Sequence, residues 1–390
     1  MFVLVKFEKL MGNPVKNIIQ IFRPKDWYSS KATGLAGLLF LFALKFELKF
    51  DVFVEILLPA FCTLVGLAAL GYLINDLSDQ KTDALAGKSN FFNRSGPGKK
   101  FSAFFLAFLF AFAPWFFLPF NEIVGGFLVA EMLLFSIYSF KPIRLKDKPA
   151  FGITTDALYA HVVPALFAGY TFWLCSDVKF PIWFFISLGV WQLLAGIRNI
   201  IQHHILDRKG DKASGSYNVF NTNGSATIQL VSKQILPFEI LFFIVFISSL
   251  RTVSVAFILL FIAFLIGSSF TWRNALVWKI RTKLNAGLFS PAFFYEHRLG
   301  LIAGIILSIN DYRYLLALLV YILVFQVDFK SIIANTKVLL YKVLVIPLYR
   351  IVIQPWYKYV VTPYHHMVLK NAYYYGHKFK IWLGLKPKEK

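Results

Sequence analysis

Long apolar runs, each closed by a short polar island, divide most of the chain. Runs of about 13 to 25 residues fall at Ala32–Leu44, Val52–Ile74, Phe101–Phe120, Ile123–Phe140, Phe151–Cys175, Phe180–Ile201, Leu236–Leu250 and Val253–Phe270. A ninth lies in Leu299–Val327, where Asn310-Asp311-Tyr312-Arg313 interrupts it and allows one crossing or two. The runs are continuous rather than alternating, which fits membrane-spanning helices and not the strands of a barrel. The pattern predicts an all-α fold: a polytopic membrane helix bundle of about nine transmembrane helices with a polar cap on the cytoplasmic side.

Two of the polar islands are acidic. The run ending at Ile74 is followed by Asn75-Asp76-Leu77-Ser78-Asp79-Gln80-Lys81-Thr82-Asp83. Steps of three and four residues put Asp76, Asp79 and Asp83 on one face if the helix continues. Carboxylates at a membrane-buried helix end are costly without a cation, a partner or water. A row of three suggests a hard cation, Mg2+ first, because that ion commonly sits between carboxylates and substrate phosphates. The run ending at Ile201 is followed by His203, Asp207 and Asp211, again at four-residue steps. Two such rows suggest a diphosphate held between metal ions.

Between them lies a basic island, Tyr138-Ser139-Phe140-Lys141-Pro142-Ile143-Arg144-Leu145-Lys146. The three islands, in this order, resemble the signatures of the UbiA superfamily of intramembrane prenyltransferases. That family carries an N-D-x-x-D-x-x-x-D row after its second span, a Tyr-Ser then Pro-x-Arg-Leu-Lys run, and a D-x-x-x-D row after its sixth. The resemblance covers roughly Arg23 to Val327. One departure is Asn93-Arg94-Ser95, where many members have Asn-Arg-Pro; here proline comes only at Pro97.

The resemblance implies an enzyme that ionises a polyprenyl diphosphate with Mg2+ and passes the prenyl group to an aromatic or lipid acceptor. Asp76, Asp79, Asp83, Asp207 and Asp211 would hold the metal. Lys146, Arg144 and Tyr138 would act on the breaking bond. Asn75, Arg94, Lys141, Arg198, Asn199 and His203 would bind the diphosphate or the prenyl chain. Asp156 and His161, polar groups inside the fifth run, are acceptor-pocket candidates that could equally satisfy one another. Within the same superfamily, terpene cyclisation and phosphoribosyl transfer to a polyprenyl phosphate remain alternatives. The Arg23-Pro24-Lys25-Asp26-Trp27 opening resembles the latter branch. A transporter or scaffold would want its acids near mid-membrane, whereas these cluster at span ends.

Composition narrows the class further. Hydrophobic residues make up 58% and charged ones 16% of the 390 residues, against roughly 45–50% and 25% in soluble domains. The net charge of +21 would suit nucleic acid, but the basic residues flank apolar spans. Anionic membrane lipids and a diphosphate explain them more simply, so no nucleic-acid partner is expected. The segment 1–31 is rich in Lys and Arg and expected to be cytoplasmic; its first five residues are too short for a signal-peptide core. Counting crossings from there puts the acidic rows and the Arg144/Lys146 run on one side, while the opposite loops hold Lys45, Lys49, Lys179 and Arg251. The active site would face the cytoplasm of a bacterial inner membrane. Residues 32–328 form the expected prenyltransferase domain, and 329–390 a basic, aromatic extension expected to lie as amphipathic helices on the membrane surface. The two cysteines, Cys62 and Cys175, read as small buried hydrophobes.

Overall fold

The computed structural model describes residues 31–85, 87, 90–214, 234–250 and 295–324, with scattered positions between 354 and 371. It divides into two compact units, one of residues 1–265 and 274–330, the other of 266–273 and 331–390. The expected span Val253–Phe270, the segment 1–30 and nearly all of the C-terminal extension lie outside the described residues.

Among the described residues, the regular elements of the first unit are all helices. Its main elements are α1 (Thr33–Lys45), α2 (Phe50–Leu85), α3 (Pro97–Phe112), α4 (Glu122–Ser139), α5 (Pro149–Ala157), α6 (Val163–Leu174), α7 (Ile182–Ser214), α8 (Leu236–Ser249), α9 (Tyr295–Asn310) and α10 (Arg313–Val324). Among the described residues, five helical stretches are long and apolar enough to cross a membrane: α2, α3 with the 3-10 turn after it, α4, α5 joined to α6, and the first part of α7. The protein is an integral membrane protein. α1, α8, α9 and α10 are shorter apolar helices.

Local chemistry sets the boundaries. Asn121 caps α4 by accepting a hydrogen bond from the Val124 amide at 3.0 Å, and Pro97 and Pro149 open α3 and α5 where a missing N–H costs nothing. Leu158–Val162, between α5 and α6, forms a π turn. Pro164 follows it; its ring clashes with the carbonyl four residues back, and the wider turn accommodates that clash.

α2 and α7, of 36 and 33 residues, are each about 50 Å long and outreach a hydrocarbon core of about 30 Å. Their projecting C-terminal turns carry the two acidic rows.

Packing follows the membrane rule of small residues inside. On α3, Ala103, Ala107 and Ala111 are fully buried while Phe101, Phe105 and Phe108 face outward. A Cβ on Gly66 of α2 would stand 2.2 Å from the Ala111 amide nitrogen, so only glycine allows this crossing. α1 is buried along its length, with α9 and α6 against it. At Gly300 of α9 an added Cβ would meet the Gly37 Cα at 2.3 Å. Away from the acidic rows, Phe42, Phe46, Phe172 and Phe184 pack edge to face in an aromatic cluster.

The interrupted ninth run is two helices. Asp311 caps α10, its carboxylate accepting from the Arg313 amide at 3.0 Å, and Arg313 reaches across to Asp51 at 2.9 Å. The Tyr314 hydroxyl donates to the Leu48 carbonyl and the Tyr321 hydroxyl to the Thr33 carbonyl. α10 therefore runs back along α1 towards the end of the bundle where α2 carries its aspartates.

Candidate active site

The functional end is built where α2 leaves the bundle and the loop 140–148 folds over it. Asp79 is the hub. Its Oδ2 accepts from Lys146 Nζ at 2.6 Å and its Oδ1 from Arg144 Nη2 at 2.7 Å. Lys146 also donates to Asn75 Oδ1 at 2.8 Å and Ser78 Oγ at 3.1 Å. Arg144 holds Asp147 with its Nε at 2.8 Å and adopts left-handed backbone, φ 36°. That conformation turns the loop back so that both cations reach one carboxylate.

These contacts separate the two cations electrostatically. Burial, only partly offset by the bonds to Asp79, holds the Lys146 ammonium below the ordinary lysine value. Burial also works against Arg144, but Asp79 and Asp147 outweigh it and hold the guanidinium higher than usual.

The other two acids of the row order the following loop. The Asp76 carboxylate accepts from the Phe91 amide at 3.3 Å, and its backbone carbonyl accepts from Asn90 Nδ2 at 2.8 Å. The same Asn90 amide donates to Asp83 Oδ2 at 2.8 Å. Asn90 thereby ties the first acid to the third and caps the turn at Phe91–Arg94.

Beneath this cap opens a cavity of ≈ 460 Å³. Asn75, Tyr138, Ser139, Asn199 and His203 lie at the cap end, and Leu38, Phe61, Leu64 and Leu67 line its apolar walls. Among the described residues Phe61 and Phe135 are the phenylalanines that line it, while others, such as Phe101, Phe105 and Phe116, are exposed or, like Phe42 and Phe184, fill the aromatic cluster. One side is polar: Glu131, Asp156, Tyr159, His161 and Gln192. The Tyr159 hydroxyl donates to the Asp156 carboxylate, and its ring meets that of Tyr138 edge on at 5.2 Å. His161 Nε2 is 3.5 Å from Asn199 Nδ2. Asp156 and His161 thus border the cavity without pairing with each other. The π turn lets Tyr159, Ala160 and His161 face this space together.

The sequence-predicted residues divide into three groups. Asn75, Asp79, Arg144 and Lys146 meet in one hydrogen-bonded cluster, with Tyr138, Asn199 and His203 at the cavity below. Arg94 and Lys141 are exposed on the rim, and neither bonds to the acidic row among the described residues. Arg198 requires a correction. It is fully buried and gripped by both oxygens of Glu239 on α8, at 2.6 and 3.0 Å, while its Nη1 donates to Asn199 Oδ1 at 2.9 Å, so much of the guanidinium is engaged in an ion pair with a neighbouring helix. The side chains of Asp207 and Asp211 lie outside the described residues, although the backbone of α7 is helical through both.

The donor set is hard oxygen, as Mg2+ requires. Among the described residues no three His, Cys, Asp or Glu side chains converge on one point, so any ion here would meet the first row on one side only. That fits an ion shared with a substrate diphosphate.

No family model and no curated protein matches the chain. Solved structures do. A digeranylgeranylglyceryl phosphate synthase in membranes matches at TM-score 0.50 and 15% identity, over 80% of this chain and 99% of its own. A UbiA homologue from Archaeoglobus fulgidus, bound to GPP and Mg2+, matches at TM-score 0.50 and 16% identity, over 75% and 99%. The fold is therefore that of intramembrane helical enzymes. More particularly, it is the UbiA fold.

Proposed function

We propose that the protein is a Mg2+-dependent intramembrane prenyltransferase, with a polyprenyl diphosphate as donor and an aromatic or lipid molecule as acceptor. The observation that carries this is the Asp79–Arg144–Lys146 cluster at the mouth of a largely apolar cavity. A prenyl diphosphate has the same polarity, a charged head on an apolar chain. The UbiA homologue of the same fold binds GPP and Mg2+.

Asp76, Asp79 and Asp83, with Asp207 and Asp211 on α7, are the residues to hold the ion. Mg2+ would neutralise charge on the leaving pyrophosphate and so favour ionisation of the allylic C–O bond. Lys146 and Arg144 exchange part of their hold on Asp79 for the pyrophosphate oxygens, adding charge-assisted hydrogen bonds where charge develops. The bonding pair leaves with the pyrophosphate. The allylic carbon, facing the Tyr138 ring, then bonds to the acceptor, which releases a proton.

The polar side of the cavity supports transfer, because Glu131, Asp156 and Gln192 offer hydrogen-bonding groups to a polar acceptor, which a hydrocarbon chain alone does not need. Lys and Arg concentrated on the acidic-row side support a cytoplasmic site in a bacterial inner membrane. α10 brings the chain back to that side, which suits the basic extension after residue 329.

The test is pyrophosphate release by detergent-purified protein from farnesyl or geranylgeranyl diphosphate, with Mg2+ or with EDTA, and with or without bacterial lipid extract. Metal-dependent release, with a prenylated lipid when extract is present, is the expected result. A cyclic hydrocarbon without extract would reassign the protein to cyclisation. Release from neither donor would point to a phosphoribosyl donor.

A further inference from the structure

Glu131 has no role in holding a diphosphate. It lies in the middle of α4, eight residues and about 12 Å along the axis from Ser139 at the cap. It is 2% exposed, and among the described residues its Oε2 has no hydrogen-bond partner. It nevertheless lines the cavity on the same helix face as Phe135, Tyr138 and Ser139. A carboxyl group at membrane depth with an unused oxygen is costly to the fold and marks a ligand contact.

Its surroundings define the ligand. Gln192 and His161 border the same part of the cavity and bond to each other. Leu38, Leu64 and Leu67 supply apolar wall to the same cavity. The cap's cations are bound to Asp79, and the cation that lines this cavity, Lys31, already acts electrostatically on Glu131 and His161. A negatively charged headgroup would meet the carboxyl oxygens unfavourably here, whereas a hydroxyl would donate to Oε2 while its apolar remainder filled the leucine wall.

We propose that Glu131 is the recognition residue for the acceptor: it takes a hydrogen bond from a hydroxyl of an otherwise apolar acceptor and so selects alcohols or phenols over their ethers. This rests on the prenyl-transfer reading above, because the prenyl group would be delivered to whatever occupies this cavity. The two ideas fail separately, since acceptor binding can be read without donor or Mg2+.

The experiment follows protection against thermal unfolding in detergent, using matched pairs: 4-octylphenol with 4-octylanisole, and a monoalkylglycerol with its dimethyl ether. The hydroxyl member of at least one pair should protect the wild type at concentrations about 10–100-fold lower than its ether, the discrimination expected from one hydrogen bond to a buried carboxyl. Which pair discriminates tells a phenolic acceptor from a lipid alcohol. Glu131→Leu should erase the preference. Glu131→Gln, which keeps an acceptor oxygen in the same shape, should retain part of it and covers the case in which the leucine variant does not fold. Equal protection by hydroxyl and ether in the wild type, or a preference that survives Glu131→Leu, overturns the proposal. Absence of Mg2+-dependent pyrophosphate release from the wild type would instead defeat the parent reading.

Discussion

Neutralising Glu239 isolates one charge in the bundle and tests where Arg198 belongs. Arg198 is fully buried and Glu239 is 3% exposed, and two hydrogen bonds of 2.6 and 3.0 Å join them. In Glu239→Leu the guanidinium loses both of these bonds and its charged partner, while its bond to Asn199 Oδ1 at 2.9 Å remains. Removing one partner of a buried pair costs about 3–5 kcal/mol, mostly the desolvation of the charge left behind. Replacing both, Arg198→Met with Glu239→Leu, removes that charge and should recover most of the loss, because well-packed apolar pairs often substitute for a buried ion pair. Equilibrium unfolding by SDS titration in mixed micelles reads both numbers. The double variant should also keep Mg2+-dependent donor binding. If Arg198 were a diphosphate ligand, stability would change little in Glu239→Leu and donor binding would collapse in the double variant; that pair of results refutes the assignment.

Lys146→Met should lower the turnover of pyrophosphate release by about 10²–10³-fold, the usual loss on removing one donor to a developing anion. Because burial lowers the Lys146 pKa, the alkaline limb of the wild-type rate should begin below the ordinary lysine value of about 10.4, and Lys146→Arg should move it upward. Stability runs the other way: the unfolded chain binds this proton more tightly, so the Lys146 contribution rises as pH climbs from the lowered value towards the ordinary one. Asn90→Ala removes the bridge between Asp76 and Asp83, with an expected loss of about 1–2 kcal/mol and a higher Mg2+ concentration for half-maximal release. Gly300→Val drives a Cβ into the Gly37 backbone, which cannot yield as a side chain does; a destabilisation of roughly 3 kcal/mol or more is expected from overpacking in the same SDS titration.

The acidic row was legible in the sequence because helical periodicity does not stop at the membrane boundary. Asp76, Asp79 and Asp83 at steps of three and four demanded a helix beyond Ile74, and α2 runs to Leu85. Arg198 misled for the same reason. It lies one turn or so from His203 along the chain, but five residues are about 500°, which leaves the two side chains some 140° apart around the axis. Asn199, four residues from His203, shares its face and borders the cavity with it. Glu131 was overlooked even though it is a single acid in an otherwise uncharged run, Ile123–Phe140, the one local signal it offers. The outward turn of so many phenylalanines was hidden by lipid. In water, large apolar residues go inside, whereas here alanine and glycine draw the helices together and Phe101, Phe105 and Phe108 face the bilayer. The π turn before Pro164 follows from proline chemistry, but its effect of bringing Tyr159 and His161 to one cavity needs the packed helices to be seen.

The most direct test of the account is equilibrium binding of a non-ionisable donor analogue, geranylgeranyl thiolodiphosphate, measured with and without Mg2+ on the wild type, Asp79→Asn and Lys146→Met. The account predicts tight binding only with Mg2+, strongly weakened in both variants. Binding indifferent to Mg2+, or unchanged by both substitutions, would contradict the claim that the Asp79–Arg144–Lys146 cluster is a diphosphate site.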